Sequence, residues 1–195
     1  MLATRLALAL AMALGGASCA AVATAQDHAI DTARSVLKLR VFKSGVLSAF
    51  AHNHEIEARI AEGTVHLSSD PSVTLKVHAR ELRVQDPDVS AKERGNVQRT
   101  MEGPEVLDIE RFPEISFQST AVQKKDEQHW VVRGNLTLHG KTSPVQVEVA
   151  YRDGHYQGSA ELMQHEFGMT PINIAGGTVK VKDGVKIEFD VVLRP

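Results

Sequence analysis

Three observations predict a mainly β protein, an antiparallel barrel or sandwich with one helix. Apolar and polar residues alternate with period two in about eight to ten short stretches, the mark of strands buried on one face. Tight-turn pairs such as His139-Gly140, Asp153-Gly154 and Asp183-Gly184 stand between them, as hairpins require. Only one stretch carries a helix start, so helices do not alternate with strands and a parallel α/β sheet is excluded. A barrel of about eight strands either fills its interior with side chains or holds one small ligand.

Residues 1–25 stand apart from this pattern. Arg5 precedes the apolar run Leu6–Leu14, and Ala23-Thr24-Ala25 forms a small-x-small site before Gln26-Asp27. That layout predicts a secretory signal peptide over 1–25 and a single domain over 26–195. The apolar run is shorter than the roughly 20 residues that span a bilayer, so no stable membrane span is expected after processing. Cys19 is the only cysteine, which leaves the domain without a thiol or a disulfide. Gly16 stands where a lipoprotein signal carries a large aliphatic residue, which argues against lipidation of Cys19.

Asp27–Arg34 reads as a polar lead-in. Leu37, Leu39 and Val41 then share one face of a first strand, with Lys38 and Arg40 on the other. Val46–Phe50 fits a strand or a helical turn equally. His52 and His54 lie two apart, on one face of the next strand. Glu62-Gly63 signals a turn, Val65 and Leu67 a short strand, and Ser69-Asp70-Pro71 a further turn. Val73, Leu75 and Val77 begin a strand that runs towards Val84. Ser90 and Glu93 form a capping box for a helix ending near Met101, stopped by Gly103-Pro104.

Ile115 and Phe117 start the following strand, and Lys124–Gln128 is a charged turn. Leu136 and Leu138 on one arm, and Val145, Val147 and Val149 on the other, make a hairpin about His139-Gly140. Gly140 supplies the positive φ of that turn. Pro144 is expected to shorten the regular part of the second arm. Tyr156–Leu162 is a strand, and Phe167–Pro171 a loop or edge. A last hairpin is expected, with arms 178–182 and 185–193 joined at Asp183-Gly184.

The chain has 22 Lys and Arg against 24 Asp and Glu, a formal charge of −2, with no basic block. Nucleic acid is therefore not an expected partner. Neither a Gly-x-Ser-x-Gly elbow nor a phosphate loop is present. Asp108 and Glu110 form a carboxylate pair of the kind acid–base chemistry uses, but their place before Phe112-Pro113 reads as a solvated linker. Nine histidines raise metal binding and pH response. His52 and His54 would supply two ligands to a divalent metal, with His139 and His165 as the third and fourth. The same pair equally fits polar packing at a barrel mouth.

Three segments carry a family resemblance: Val106–Thr120 (VLDIERFPEISFQST), Gly134–Val145 (GNLTLHGKTSPV) and Glu166-Phe167-Gly168-Met169. In sequence and spacing they resemble the signature segments of YceI-like proteins. Gln164 stands where the family commonly has Arg. His52-Asn53-His54 replaces the usual segment after the first strand, marking a His-x-His variant branch. The resemblance implies a lipocalin-like antiparallel β-barrel of about eight strands with one α-helix at its side. It also implies a periplasmic or secreted protein, not an enzyme, that holds a long isoprenoid or similar amphiphilic lipid inside the barrel. Phe42, Phe50, Phe117, Leu136, Phe167 and Met169 are the expected ligand-binding residues, since lipid pockets are mostly apolar. Plain core packing uses the same residue types. The alternative function is a metal-binding or metal-dependent periplasmic protein built on the His-x-His site. A third reading is an accessory of stress response or electron transfer that presents a quinone. The sequence leaves oligomeric state open, a homodimer included.

Overall fold

The alternation is realised as one strongly curled antiparallel sheet. The structure is a computed structural model and describes residues 26–44, 53–174 and 179–195. Its strands are β1 (Gln26–Ala29), β2 (Val36–Ser44), β3 (His54–Ala58), β4 (Glu62–Leu67), β5 (Ser72–His78) and β6 (Leu82–Val84). Helix α1 (Ala91–Glu102) follows. Then come β7 (Glu114–Lys124), β8 (His129–Leu138), β9 (Lys141–Arg152), β10 (His155–Met163), β11 (Asn173–Ile174) and β12 (Val179–Val192). The hydrogen-bonded order is β1-β4-β5-β7-β8-β9-β10-β12-β2-β3-β6, and β11 pairs with β12 off this path. The signal-peptide expectation, with Cys19, and the expectations for Val46–Phe50 and His52 lie outside the described residues.

The path holds eleven strands where about eight were expected. The reason is bending. β3 and β4 are one chain run bent at Arg59–Ala61, and β5 and β6 are one run broken by a 3-10 turn at Ala79–Glu81. Across the first bend the Ala61 N–H still donates to the Lys76 carbonyl at 2.9 Å. The third extra strand, β1, falls within the expected polar lead-in. It pairs with β4 from Gln26↔Leu67 to Ala29↔Thr64, and Ile30 bridges to Leu193 at the end of β12. β3 pairs with β2 while β4 pairs with β5, so the bent run carries the sheet around one interior.

Three turn expectations need correction. Glu62 and Gly63 lie inside β4; Gly63 is needed because an added Cβ would meet the Ile30 side chain. Asp183-Gly184 is a bulge within the unbroken β12, at the register shift between Val181 and Val185. Neither residue has a positive φ, so the type I′ conformation of an Asp-Gly hairpin is absent. Pro144 does not shorten β9, which starts at Lys141. Pro144 pairs with Asn135 of β8, while β10 joins β9 only from Glu148 onward. The missing N–H therefore sits where β9 has a single strand neighbour.

Two turn readings and the helix cap hold. His139 (φ 51°) and Gly140 (φ 71°) make the β8–β9 turn, and Asp153 and Gly154 make the β9–β10 turn. Ser90 caps α1: its Oγ accepts from the Glu93 N–H at 3.2 Å, and Glu93 Oε2 accepts from the Ser90 N–H at 3.0 Å. The cap satisfies helix donors that have no intrahelical partner. α1 and the turns after it pack over one end of the curled sheet. Met101, Leu107, Leu138, Leu162, Phe167 and Met169 form the core there with Ile56, Val77 and Val84.

Candidate functional site

The far end of the interior is not filled. A cavity of about 260 Å³ lies between β4, β5, β7, β8, β9, β10 and β12. Period-two alternation positions its wall. Trp130, Val132 and Leu136 face inward from β8, and Val145, Val147 and Val149 from β9. Ala160 and Leu162 come from β10, with Ile187, Phe189 and Val191 from β12. Many of these residues are only half-buried although they point inward, because the surface they keep is the cavity wall.

Two glycines on the inner faces make room for aromatic rings. A Cβ on Gly134 would overlap the Phe117 ring, and one on Gly158 would meet the Phe189 ring. Each ring thus occupies the space that a side chain on the neighbouring strand would need.

The chemistry of the wall is apolar. Ser72 is the one lining residue with a purely polar side chain, while Trp130 and Tyr156 add one polar atom each to an aromatic body. No charged residue or histidine lines it. Burial, and after it the neighbouring Tyr151 phenol, pushes the Tyr156 hydroxyl above its ordinary range, so it stays neutral. Such a wall fits a hydrocarbon chain and offers nothing to hold an ion. A second concavity of about 740 Å³ is larger. It lies against the outer face, where Thr64, Thr74, Gln118 and Asn135 are exposed or half-buried polar groups, and it lacks the apolar wall.

Of the six residues expected to bind ligand, Phe117 and Leu136 line the cavity side by side, in register across β7 and β8. Phe167, 0% exposed, and Met169 belong to the core beneath α1 and are absent from the wall. Phe42 lies on the β2 face opposite Leu37, Leu39 and Val41 and is in neither place. Phe50 is outside the described residues. Trp130, one of the large apolar side chains from which a pocket wall was expected, also lines it, whereas sequence reasoning missed Tyr156, Phe189 and the three β9 valines as wall residues. Their alternation was visible, but which end of the interior stays empty depends on where α1 packs.

The described histidines of the expected metal site do not converge. His54 Nδ1 is 2.6 Å from Asp86 Oδ2. His139 Nδ1 donates to the Phe167 carbonyl at 3.3 Å, and its ring is tilted 60° against the Phe112 ring with centroids 4.6 Å apart. His165 Nδ1 pairs with Asp183 Oδ2. Among the described residues no three His, Cys, Asp or Glu side chains come together as metal ligands. Asp86 is 1% exposed. Its other carboxylate oxygen accepts the Glu55 N–H at 2.7 Å, so the His54–Asp86 pair ties β3 to the chain entering α1. Asp108 is likewise committed: it adopts φ 46° and bonds Arg111 Nη1 at 3.2 Å, closing the turn before Phe112.

Comparison with known proteins agrees with this fold. The family model described as YceI-like domain matches residues 28–193. A UPF0312 protein of Pseudomonas savastanoi pv. phaseolicola is 35% identical over 74 residues, 32% of this chain and 38% of its own length. The chain therefore matches about two-fifths of that curated relative. The crystal structure of Burkholderia cenocepacia BcnA superposes with a TM-score of 0.62 at 18% identity, covering 84% of this chain and 98% of that one. A polyisoprenoid binding domain from Saccharophagus degradans, implicated in plant cell wall breakdown, superposes with a TM-score of 0.54 at 11% identity. That match covers 86% of this chain and 97% of the other. At such identities the two structures speak for the fold alone.

Proposed function

The chain belongs to the YceI-like domain family, and from that premise we propose that it is an exported binding protein, not an enzyme, holding a long isoprenoid or similar amphiphilic lipid. The cavity carries the reading. It is an interior space walled by Val, Leu, Ile, Phe and Trp, with Ser72 alone as a purely polar side chain. Desolvating a hydrocarbon there is favourable at about 25 cal/mol per Å² buried, whereas a charged group would lose its hydration without a partner. The Saccharophagus degradans domain of the same fold, described as polyisoprenoid binding, supports the choice of lipid. The sequence pattern of residues 1–25 supports export to the periplasm or beyond. No helix among the described residues is long and apolar enough to cross a membrane.

The test is to express the full chain, identify the N-terminus of the purified protein, and extract it with organic solvent for mass spectrometry. An N-terminus at Gln26 and a stoichiometric prenyl lipid are expected. Absorbance of the extract separates a quinone from a lipid without a redox ring. An extract without lipid, from a protein that also fails to take up prenyl alcohols, sinks the proposal.

A further inference from the structure

The wall of the cavity is split on one side. β9 has twelve residues and β10 nine, yet they pair only from Arg152↔His155 to Glu148↔Ser159. Beyond Glu148, β9 pairs with β8 alone, and beyond Ser159, β10 pairs with β12 alone. The ladder between the two strands stops at Glu148↔Ser159 and is not resumed among the described residues. The gap is bounded above. After Met163 the chain turns through Gln164–Phe167 and crosses to the start of β9. There the Phe167 carbonyl accepts from His139 and Gly168 sits against the Lys141 side chain. The β10 edge of the window is Ala160–Met163, at most roughly 13 Å long at about 3.3 Å per residue.

We infer that this window between β9 and β10 is the passage through which an apolar chain reaches the cavity. The inference rests on the lipid-holding reading above and assigns that site its route. Val145, Val147, Ala160 and Leu162 stand on the two lips and line the cavity behind them. Met163, 37% exposed, ends the β10 lip; it and Leu67 are the two exposed large hydrophobics among the described residues. The window is kept from zipping shut. Pro144 on the β9 lip has no N–H to give, and the turn after Met163 takes the chain out of the sheet. The hairpin-turn end is the competing route, since Leu67 and Ser72 line the cavity there and are exposed, but aromatic rings and charged turns narrow it. Tyr156 there packs against Trp130 and Tyr151, with ring centroids 6.2 and 4.8 Å apart, and the turn residues Asp70, Lys125, Asp126 and Asp153 are exposed. At about 260 Å³ the cavity is smaller than the roughly 300–1,000 Å³ of common small-molecule sites. A long chain therefore leaves part of itself in the window.

Trp130 is the single tryptophan and lines the cavity, so energy transfer from it to retinol reports filling. In a Cys19→Ser full chain, Gln146→Cys and Glu161→Cys place two thiols outside the opposite lips, to be joined by a short bis-maleimide. Glu148→Cys with Ser159→Cys, joined across a pair already in register, is the control. The closed window should slow retinol uptake by roughly tenfold or more, as gating does when a passage must open first, while the control keeps the open rate. Retinol loaded before cross-linking should be trapped to the same degree. Ala160→Phe, which narrows the window from one lip and leaves Trp130 the single tryptophan, should slow uptake in the same direction if the cysteine pair does not fold. Uptake at the open rate through a closed window overturns the inference and leaves the lipid reading standing. Absence of transfer in the uncross-linked protein overturns both.

Discussion

Phe117 lies over Gly134. The two residues sit on neighbouring strands β7 and β8, and the phenyl ring occupies the space that a Cβ at position 134 would need. The Gln118 carbonyl crowds the same point. Gly134→Ala should therefore cost about 1–3 kcal/mol, as overpacking does, read as a lower midpoint in urea denaturation. Adding Phe117→Leu should recover part of the loss and no more, because the carbonyl remains.

Filling the cavity should remove its ligand without unfolding the protein. Val73 and Val122 both line it. Val73→Phe with Val122→Phe is expected to abolish lipid in the organic extract while the melting temperature stays equal or rises. Phe42→Leu, on the other face of β2, should leave lipid content unchanged. Equal lipid in the filled variant and the parent would place the ligand elsewhere.

Asp86→Ala should be among the most damaging single changes near α1. It leaves the Glu55 N–H and His54 Nδ1 without their acceptor at a position 1% exposed. Loss of a charged acceptor from two partly buried donors costs about 1.5–3 kcal/mol. The measurement is the unfolding midpoint. Asp86→Asn, which keeps one carbonyl for Glu55, should fall between the parent and Asp86→Ala.

Acid should weaken the β10–β12 pair. Burial pushes the Asp190 carboxyl up, but hydrogen bonds from His155 at 2.6 Å and Gln157 at 2.9 Å outweigh it and hold the group below its ordinary range. Asp183 is lowered in the same way: burial raises it, and the His165 ring and main chain more than compensate. An unfolded Asp takes its proton near pH 3.9, before the folded one does. The stabilisation is thus complete above about pH 4 and is lost as pH falls through the lower folded value. Denaturation curves taken from about pH 6 to pH 2 should show this loss, and Asp190→Asn should flatten the slope over that window.

Much of the fold was legible locally. The Ser90–Glu93 capping box, the His139-Gly140 turn and the alternation of Leu136, Val147 and Phe189 are short-range signals, and each is realised. What failed depended on distant partners. Asp183-Gly184 carries a hairpin signature, but Lys180 and Val181 pair with Ser44 and Lys43 of β2, so the strand continues through a bulge. Phe167 and Met169 are as apolar as Phe117, yet α1 packs over their end of the sheet and not over the other. The window was invisible as well. Pro144 marked a break in pairing, but only the three-dimensional neighbours of β9 say on which side.

Ser35 Oγ accepts the Val192 N–H at 2.9 Å and donates to the Val192 carbonyl at 3.4 Å, across 157 positions of the chain. β12 also brings β10 and β2 together. A ribosome must therefore deliver every strand through β12 before the sheet can come full circle. Contacts this remote in sequence make folding slow, on the scale of milliseconds to seconds. If the chain is exported, as proposed, that delay would leave it threadable until β12 arrives.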